Sequence, residues 1–333
     1  MTNSHRGQPF LEELAKLGCR VFLLTVEEHR YAGWPPESLS ELHSMPSGMT
    51  LQQITNTVAY LARSRKFARV IALDNSNVQI AAALREHLRI PGMGVTTANY
   101  FSDRLAARLK AAQAGMSVAA FTSVANYDEL RQFMEAVPAP WWLMPRSESR
   151  GKVRRQLDEA EQVWRALDEL GDGQSEFLLE QAIDGDRWHV DSLTANGNVV
   201  FSAVSPYRES NVEKAEGGEL LPRVQTPKTP AGTERLRRAN TALLSSMRMA
   251  RGVTHTEFLR SSATGEFYFM EISASVDDGC VADMMQEAHG LNLWREWARL
   301  EVAAMRGEPY ALPSSARGRK ALPASGEGQH RLA

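Results

Sequence analysis

Short apolar runs alternate with amphipathic segments over the first hundred residues. Residues 20–25 (RVFLLT) read as a buried strand, and residues 51–63 place Leu51, Ile54, Val58 and Leu61 on one helical face. A second buried strand is predicted at 68–73 (ARVIAL), followed by a helix at 78–88 with Ala81, Ala82, Leu84 and Leu88 on its apolar side. Strands that alternate with helices imply a parallel sheet covered on both faces. Asp74, at the end of the second strand, stands either where such sheets bind ligands or where a helix cap or turn is needed.

The turn cluster at 90–94 (IPGMG) interrupts this pattern. A helix at 103–114, a strand at 117–122, a helix at 127–136, a strand at 141–144 and a helix at 157–170 follow. Beyond Gly173 strands dominate: 176–181, 188–194 and 199–204, the last two joined by the hairpin signal Asn196-Gly197. A helix at 234–248 precedes a second hairpin, 253–260 and 266–272, turning at Thr264-Gly265. Helices at 281–288 and 293–305 complete the pattern, with Leu293, Trp294, Trp297 and Leu300 spaced for core or dimer packing. The expected organisation is an N-terminal α/β domain (1–95), a small lobe (96–172), a C-terminal lobe (173–312) and a flexible tail (313–333). Residues 207–230 read as a long loop.

Composition narrows the function. The 333 residues are 43% hydrophobic and 23% charged, which suits packed α/β units. A net charge of -2 gives neither a nucleic-acid footprint nor a polybasic membrane anchor. No apolar run is long enough to span a bilayer, and MTNSHRGQPF lacks the pattern of a signal peptide. Two isolated cysteines, Cys19 and Cys280, form neither a disulfide framework nor a metal motif, so a cytoplasmic setting is expected.

The chemistry concentrates in GVTHTEFL (252–259) and FYFMEI (267–272). Glu257 and Glu271 fall on adjacent strands and face one side if the hairpin closes at Thr264-Gly265. Converging carboxylates repel unless a cation lies between them, and Mg²⁺ prefers such hard oxygen ligands. The alternative is a pair of strand glutamates neutralised by lysine or arginine.

Three motifs, taken in order, resemble the ATP-grasp superfamily in its carboxylate–amine ligase branch. They are EQAIDGDRWHVD (180–191), THTE (254–257) and MEISASVDDG (270–279). The resemblance spans roughly residues 88–294, and residues 72–94 are similar to the α/β domain that precedes the fold. It implies Mg-ATP clasped between two lobes and a ligase that joins a small-molecule carboxylate to an amine. Glu180, Gln181, Ala182 and Ile183 would read adenine, and Asp186 or Asp191 would contact ribose or nearby substrate. Glu257, Glu271 and Ser273 stand at the magnesium-ligand positions, Ser273 replacing an asparagine. His255, two residues before Glu257, would meet the transferred phosphate or remain a structural histidine. The resemblance also leaves a homodimer open.

Several phosphate-gripping positions depart from the family pattern. Arg104 replaces one lysine, Met144 replaces a second, and Ser275 stands where an arginine is common. The loop 146–152 has one glycine, so Arg146, Arg150 and Lys152 either substitute as phosphate cations or form a solvated basic loop. Two readings result: an active ligase acting through an acyl-phosphate, or a catalytically impaired nucleotide-binding or partner protein.

Overall fold

The computed structural model describes residues 1–147, 154–207, 230–277 and 281–313. Residues 314–333 of the expected tail, residues 208–229 of the expected loop, and Arg150, Lys152, Asp278 and Cys280 therefore lie outside the described residues.

At the N-terminus, β1 (Phe22–Val26) and β2 (Glu41–Met45) pair in parallel. They are flanked by α1 (Gln8–Lys16), α2 (Leu51–Ala62) and α3 (Val78–Leu88). Thr50 opens α2 with a capping box: its hydroxyl accepts from the Gln53 N–H while the Gln53 side chain accepts from the Thr50 N–H. Two otherwise orphaned donors are thereby satisfied. The sequence reading needs one correction here, because residues 68–73 form no regular strand. The main chain of Met1 and Thr2 runs between that segment and β1 and takes its hydrogen bonds. Asp74 has the capping role, accepting from the Thr2 hydroxyl and from the N–H groups of Asn3 and Asn77.

Next come α4 (Val95–Ser102) and α5 (Arg104–Gln113). Asp103 caps α5, accepting from the N–H groups of Leu105 and Ala106. The small lobe holds β3 (Phe121–Ser123), α6 (Tyr127–Ala136), β4 (Trp141–Pro145), β5 (Arg155–Leu157), α7 (Ala160–Leu170) and β6 (Phe177–Gln181). Its four strands form an antiparallel sheet in the order β3-β6-β4-β5. β6, assigned from sequence to the C-terminal lobe, belongs to this sheet because Phe177 and Leu179 bury against Trp141, Leu143 and Val163.

The C-terminal lobe contains β7 (Gly185–Ala195), β8 (Asn198–Pro206), α8 (Pro230–Ser246), β9 (Gly252–Ser261), β10 (Phe267–Ser273), α9 (Val281–His289) and α10 (Leu293–Arg306). Its strands form a second antiparallel sheet, β10-β9-β7-β8. The β7–β8 turn uses Asn196 and Gly197, both at positive φ (50° and 78°), as a tight hairpin requires. One face of this sheet packs with α4, α5 and α8 around Phe101, Leu243, Phe258 and Phe269. Trp294 and Trp297 are buried, stacked 6.0 Å apart, and share a core with Phe10 of α1. No helix among the described residues is long and apolar enough to cross a membrane.

Candidate active site

A cavity of about 840 Å³ is lined by both antiparallel sheets and by the N-terminal unit. Its chemistry follows from strand register. Glu257 lies directly opposite Glu271 on one side and His189 on the other. His255 lies opposite Ser273 and Asp191 in the next row. Side chains directly opposite across a sheet share a face, so six polar groups form two adjacent rows. A register shift between Phe269 and Glu271 brings Glu271 into line with Glu257. Without that bulge, strand alternation would turn Glu271 to the other face.

The rows are cross-linked by hydrogen bonds. Asp191 accepts from Nδ1–H of His189 at 2.7 Å and from Nδ1–H of His255 at 2.8 Å. His255 Nε2 faces the Tyr207 hydroxyl at 2.9 Å and Glu257 Oε1 at 3.6 Å. Tyr207 in turn donates to Glu257 Oε1 at 3.2 Å. Burial opposes ionisation of Asp191, but the two imidazoles outweigh it and hold the carboxyl well below its usual range. Burial likewise opposes charge on His255, yet Asp191 and Glu257 raise its pKa well above the ordinary value. Glu257 is pushed up by burial and down by His255 and Arg187, the balance falling at about 2. The cluster thus holds an imidazolium between two carboxylates.

Both glutamates carry arginine partners. Arg187 donates to Glu257, and Arg104 Nε donates to Glu271 Oε2 at 2.8 Å. Arg104 also ties the start of α5 to the end of β4, its main-chain N–H donating to the Arg146 carbonyl and Nη1 to the Pro145 carbonyl.

The structure gathers Arg104, Glu180, Gln181, Ile183, Glu257, Glu271 and Ser273 around the cavity. His255 lines a small adjoining cavity shared with Arg104, Glu257, Glu271 and Ser273. Other expected site residues are placed elsewhere. Asp191 is buried beside His255 on the neighbouring strand, fully engaged by the two imidazoles, and does not line the cavity. Asp186 is exposed at the start of β7 and does not line it either. Arg146 turns onto Asp103, pairing Nη2 to Oδ2 at 2.5 Å, so its charge is directed to the α5 cap. The N–H groups of Gln181 and Ala182 donate to the carbonyls of Ala120 and Pro140, which removes those two donors from any ligand. Met144 lines the cavity and brings no charge to it.

Sequence reasoning missed several cavity groups. Arg108, buried at 2% exposure, ion-pairs with Glu180. It lies four residues after Arg104 on α5, a helical spacing that puts both guanidiniums on one face. Arg154 lies over the Trp142 ring at 4.5 Å and shares the cavity wall with Met144. Arg187 lies over the Tyr207 ring at 4.9 Å. Among the described lining residues, five arginines face five carboxylates and no lysine appears.

Two sets of side chains bear on metal binding. Glu257, Glu271 and Ser273 offer two carboxylates and a hydroxyl on one face, a hard-oxygen set that fits Mg²⁺. His189, Asp191 and His255 are close enough to ligate an ion. There, however, both Nδ1 atoms already bond the carboxylate, and Mg²⁺ has little preference for imidazole.

No family model matches the chain. It is 24% identical over 245 residues to an L-arginine-specific L-amino acid ligase from Bacillus subtilis, covering 71% of this chain. The chain spans 58% of the length of that curated relative. Among solved structures, an L-amino acid ligase from Bacillus licheniformis superposes with a TM-score of 0.74 at 18% identity, covering 92% of this chain and 73% of its own. N5-carboxyaminoimidazole synthetase from Staphylococcus aureus, solved with ADP, gives a TM-score of 0.69 at 17% identity over 92% of this chain and 75% of its own. Biotin carboxylase from Campylobacter jejuni, solved with a β,γ-ATP ligand, gives 0.69 at 15% identity over 93% and 70%. Two antiparallel sheets facing a shared charged cavity, matched along nine-tenths of the chain to these proteins, show that this chain has the ATP-grasp fold.

Proposed function

We propose that the protein is an ATP-dependent ligase that joins a small-molecule carboxylate to an amine. The observation that carries this reading is the register of Glu257 against Glu271 on the cavity face, with Ser273 beside them. The similarity to amino acid ligases supports it. In the proposed reaction a substrate carboxylate oxygen attacks the γ-phosphorus of ATP, ADP leaves, and an acyl-phosphate remains. The amine nitrogen then attacks the acyl carbon, phosphate leaves, and the amine proton passes to a nearby base. Glu257, Glu271 and Ser273 would hold magnesium, which supplies charge neutralisation for the nucleotide oxygens.

The protein's own groups have distinct roles in this reading. Arg104 and Arg187 would turn from the glutamates to phosphate oxygens once a cation occupies the carboxylates. His255, held cationic above Asp191, would serve as a fixed positive charge beside the transferred group rather than as a base. Proton removal from the amine then falls to a carboxylate. Trp142, Glu180, Gln181 and Ile183 line the part of the cavity proposed for adenine.

A second reading, nucleotide binding without ligation, is favoured by one observation: Met144 contributes no charge to the phosphate region. One experiment separates the two. Mg-ATP at 100 times its Kd should stabilise the fold by about 2.7 kcal/mol, read as a raised melting temperature, and Glu271→Ala should lose that shift. ADP release with a panel of carboxylates and amines supports ligation. A shift without ADP release supports the second reading, and no shift at millimolar Mg-ATP removes both.

A further inference from the structure

Three of the five arginines that line the candidate site are matched to carboxylates: Arg104 to Glu271, Arg108 to Glu180 and Arg187 to Glu257. Arg6 lies on the N-terminal wall, where its Nε donates to the Ser4 hydroxyl at 2.7 Å. Arg154 differs from all of these. Among the described residues it pairs with no carboxylate, and its guanidinium carbon stands 4.5 Å from the centre of the Trp142 ring.

Strand register accounts for its position. β5 runs antiparallel to β4, pairing Trp141 with Leu157, Trp142 with Gln156 and Leu143 with Arg155. The same register carried one position further sets Arg154 opposite Met144. Residues directly opposite share a face, and successive ones alternate. Trp141, Leu143 and Leu157 accordingly bury in the small-lobe core, whereas Trp142, Met144 and Arg154 line the cavity. The positive charge that Met144 does not bring is thus present on the same face, one strand over.

We propose that Arg154 binds the phosphate chain of the nucleotide, supplying from the start of β5 the charge absent at Met144. Its place along β4 supports this. Trp142 stands in the part of the cavity proposed for adenine, and at the other end of the strand the Pro145 carbonyl accepts from Arg104, which holds Glu271 of the proposed magnesium set. Met144 and Arg154 lie between these points, along the path that phosphates take from base to metal. A guanidinium presents a planar fork of N–H donors that matches two phosphate oxygens. Recruiting Arg154 breaks no ion pair, and the exposed ring contact that it would relax is weak. The inference rests on the nucleotide site of the proposed function and makes no use of the acid or the amine. With Arg154 in this role, Met144 no longer favours binding without ligation.

The test is calorimetric titration of the full chain with Mg-ATP, Mg-ADP and adenosine. Arg154→Met removes the charge at an exposed position. It should weaken Mg-ATP and Mg-ADP binding by about 10- to 100-fold and leave adenosine unchanged. Arg154→Lys should lose less. The double variant Met144→Lys with Arg154→Met returns a cation to the facing strand and should recover most of the lost affinity. A purely structural role for Arg154, exerted through Trp142, would weaken adenosine as much as Mg-ADP and would not be repaired by Met144→Lys; either result overturns the proposal. Equal Mg-ADP affinity in wild type and Arg154→Met overturns it as well. A wild type that binds neither nucleotide removes the nucleotide site and this inference with it. Because the readout is binding, an absence of ligation, measured as ADP release, cannot mimic any of these results.

Discussion

Asp191 is the residue on which the electrostatics of the β7–β9 face depend. Its carboxylate satisfies two imidazole N–H groups at once, and no other acid lies between His189 and His255 among the hydrogen bonds described. The sign of its effect on stability can be worked out. Its pKa in the folded protein lies below the reference of 3.8, so its contribution is present above about pH 4 and is lost as pH falls further. His255 is raised above 6.5, so its contribution is complete below that pH and is lost as pH rises through the folded value. Wild type should therefore be most stable between about pH 4 and pH 6.5. Asp191→Asn should lower the melting temperature within that window and flatten its decline on the alkaline side. An unchanged alkaline slope in the variant would show that Asp191 does not hold the His255 charge. This role was hard to read from sequence, where the alternation of Asp191 on β7 allowed a cavity-facing side chain equally well. Only the pairing of β7 with β9 places it directly opposite His255.

Elements were legible where a single periodicity governed them. The helices α2, α3, α6, α7 and α10 and the hairpins at Asn196-Gly197 and Thr264-Gly265 stand close to where apolar spacing and turn residues put them. β2 was missed because ELHSM is polar and only partly buried along most of its length. α1 was missed because its apolar face, Phe10, Leu11 and Leu14, is short and follows a Gly rather than a side-chain cap. The strand expected at 68–73 fails for a different reason. Its apolar run is real, but its ladder partner is Met1–Thr2, a pairing no local pattern can announce. Local capping gives a sharper case at α5. Asp103 accepts two backbone N–H groups and also pairs with Arg146. The ion pair is partly exposed, so screening leaves it a minor contribution, whereas loss of a cap costs about 1 kcal/mol. Asp103→Ala should thus lose about 1 kcal/mol in urea denaturation, and Asp103→Asn should recover most of it. Equal losses in both variants would assign the stabilisation to the ion pair instead.

At the scale of the molecule, the small lobe has a core of its own. Val124, Leu130, Leu143, Val163, Leu167 and Leu179 pack together apart from the cores that join the N-terminal unit to the C-terminal lobe. What ties it to the rest is largely polar: the Arg108–Glu180 ion pair, the Arg104 bonds to the carbonyls of Pro145 and Arg146, and the bridge between Val118 and Phe269. An interface held by a few charged and main-chain bonds transmits less cooperativity than a shared apolar core. Scanning calorimetry of the protein without nucleotide should accordingly show the small lobe melting ahead of the remainder. In the proposed reading, a nucleotide would lie between Trp142 and Glu180 on one sheet and Glu257 and Glu271 on the other, and would touch both units. Because it binds only when both are folded, mass action couples their unfolding. Saturating Mg-ATP should merge the two transitions into one at higher temperature, and Glu271→Ala should leave them separate. Coincident melting of all probes without nucleotide would instead mean that the polar ties alone make the lobes one cooperative unit, and the clasping role of the ligand would lose its thermodynamic basis.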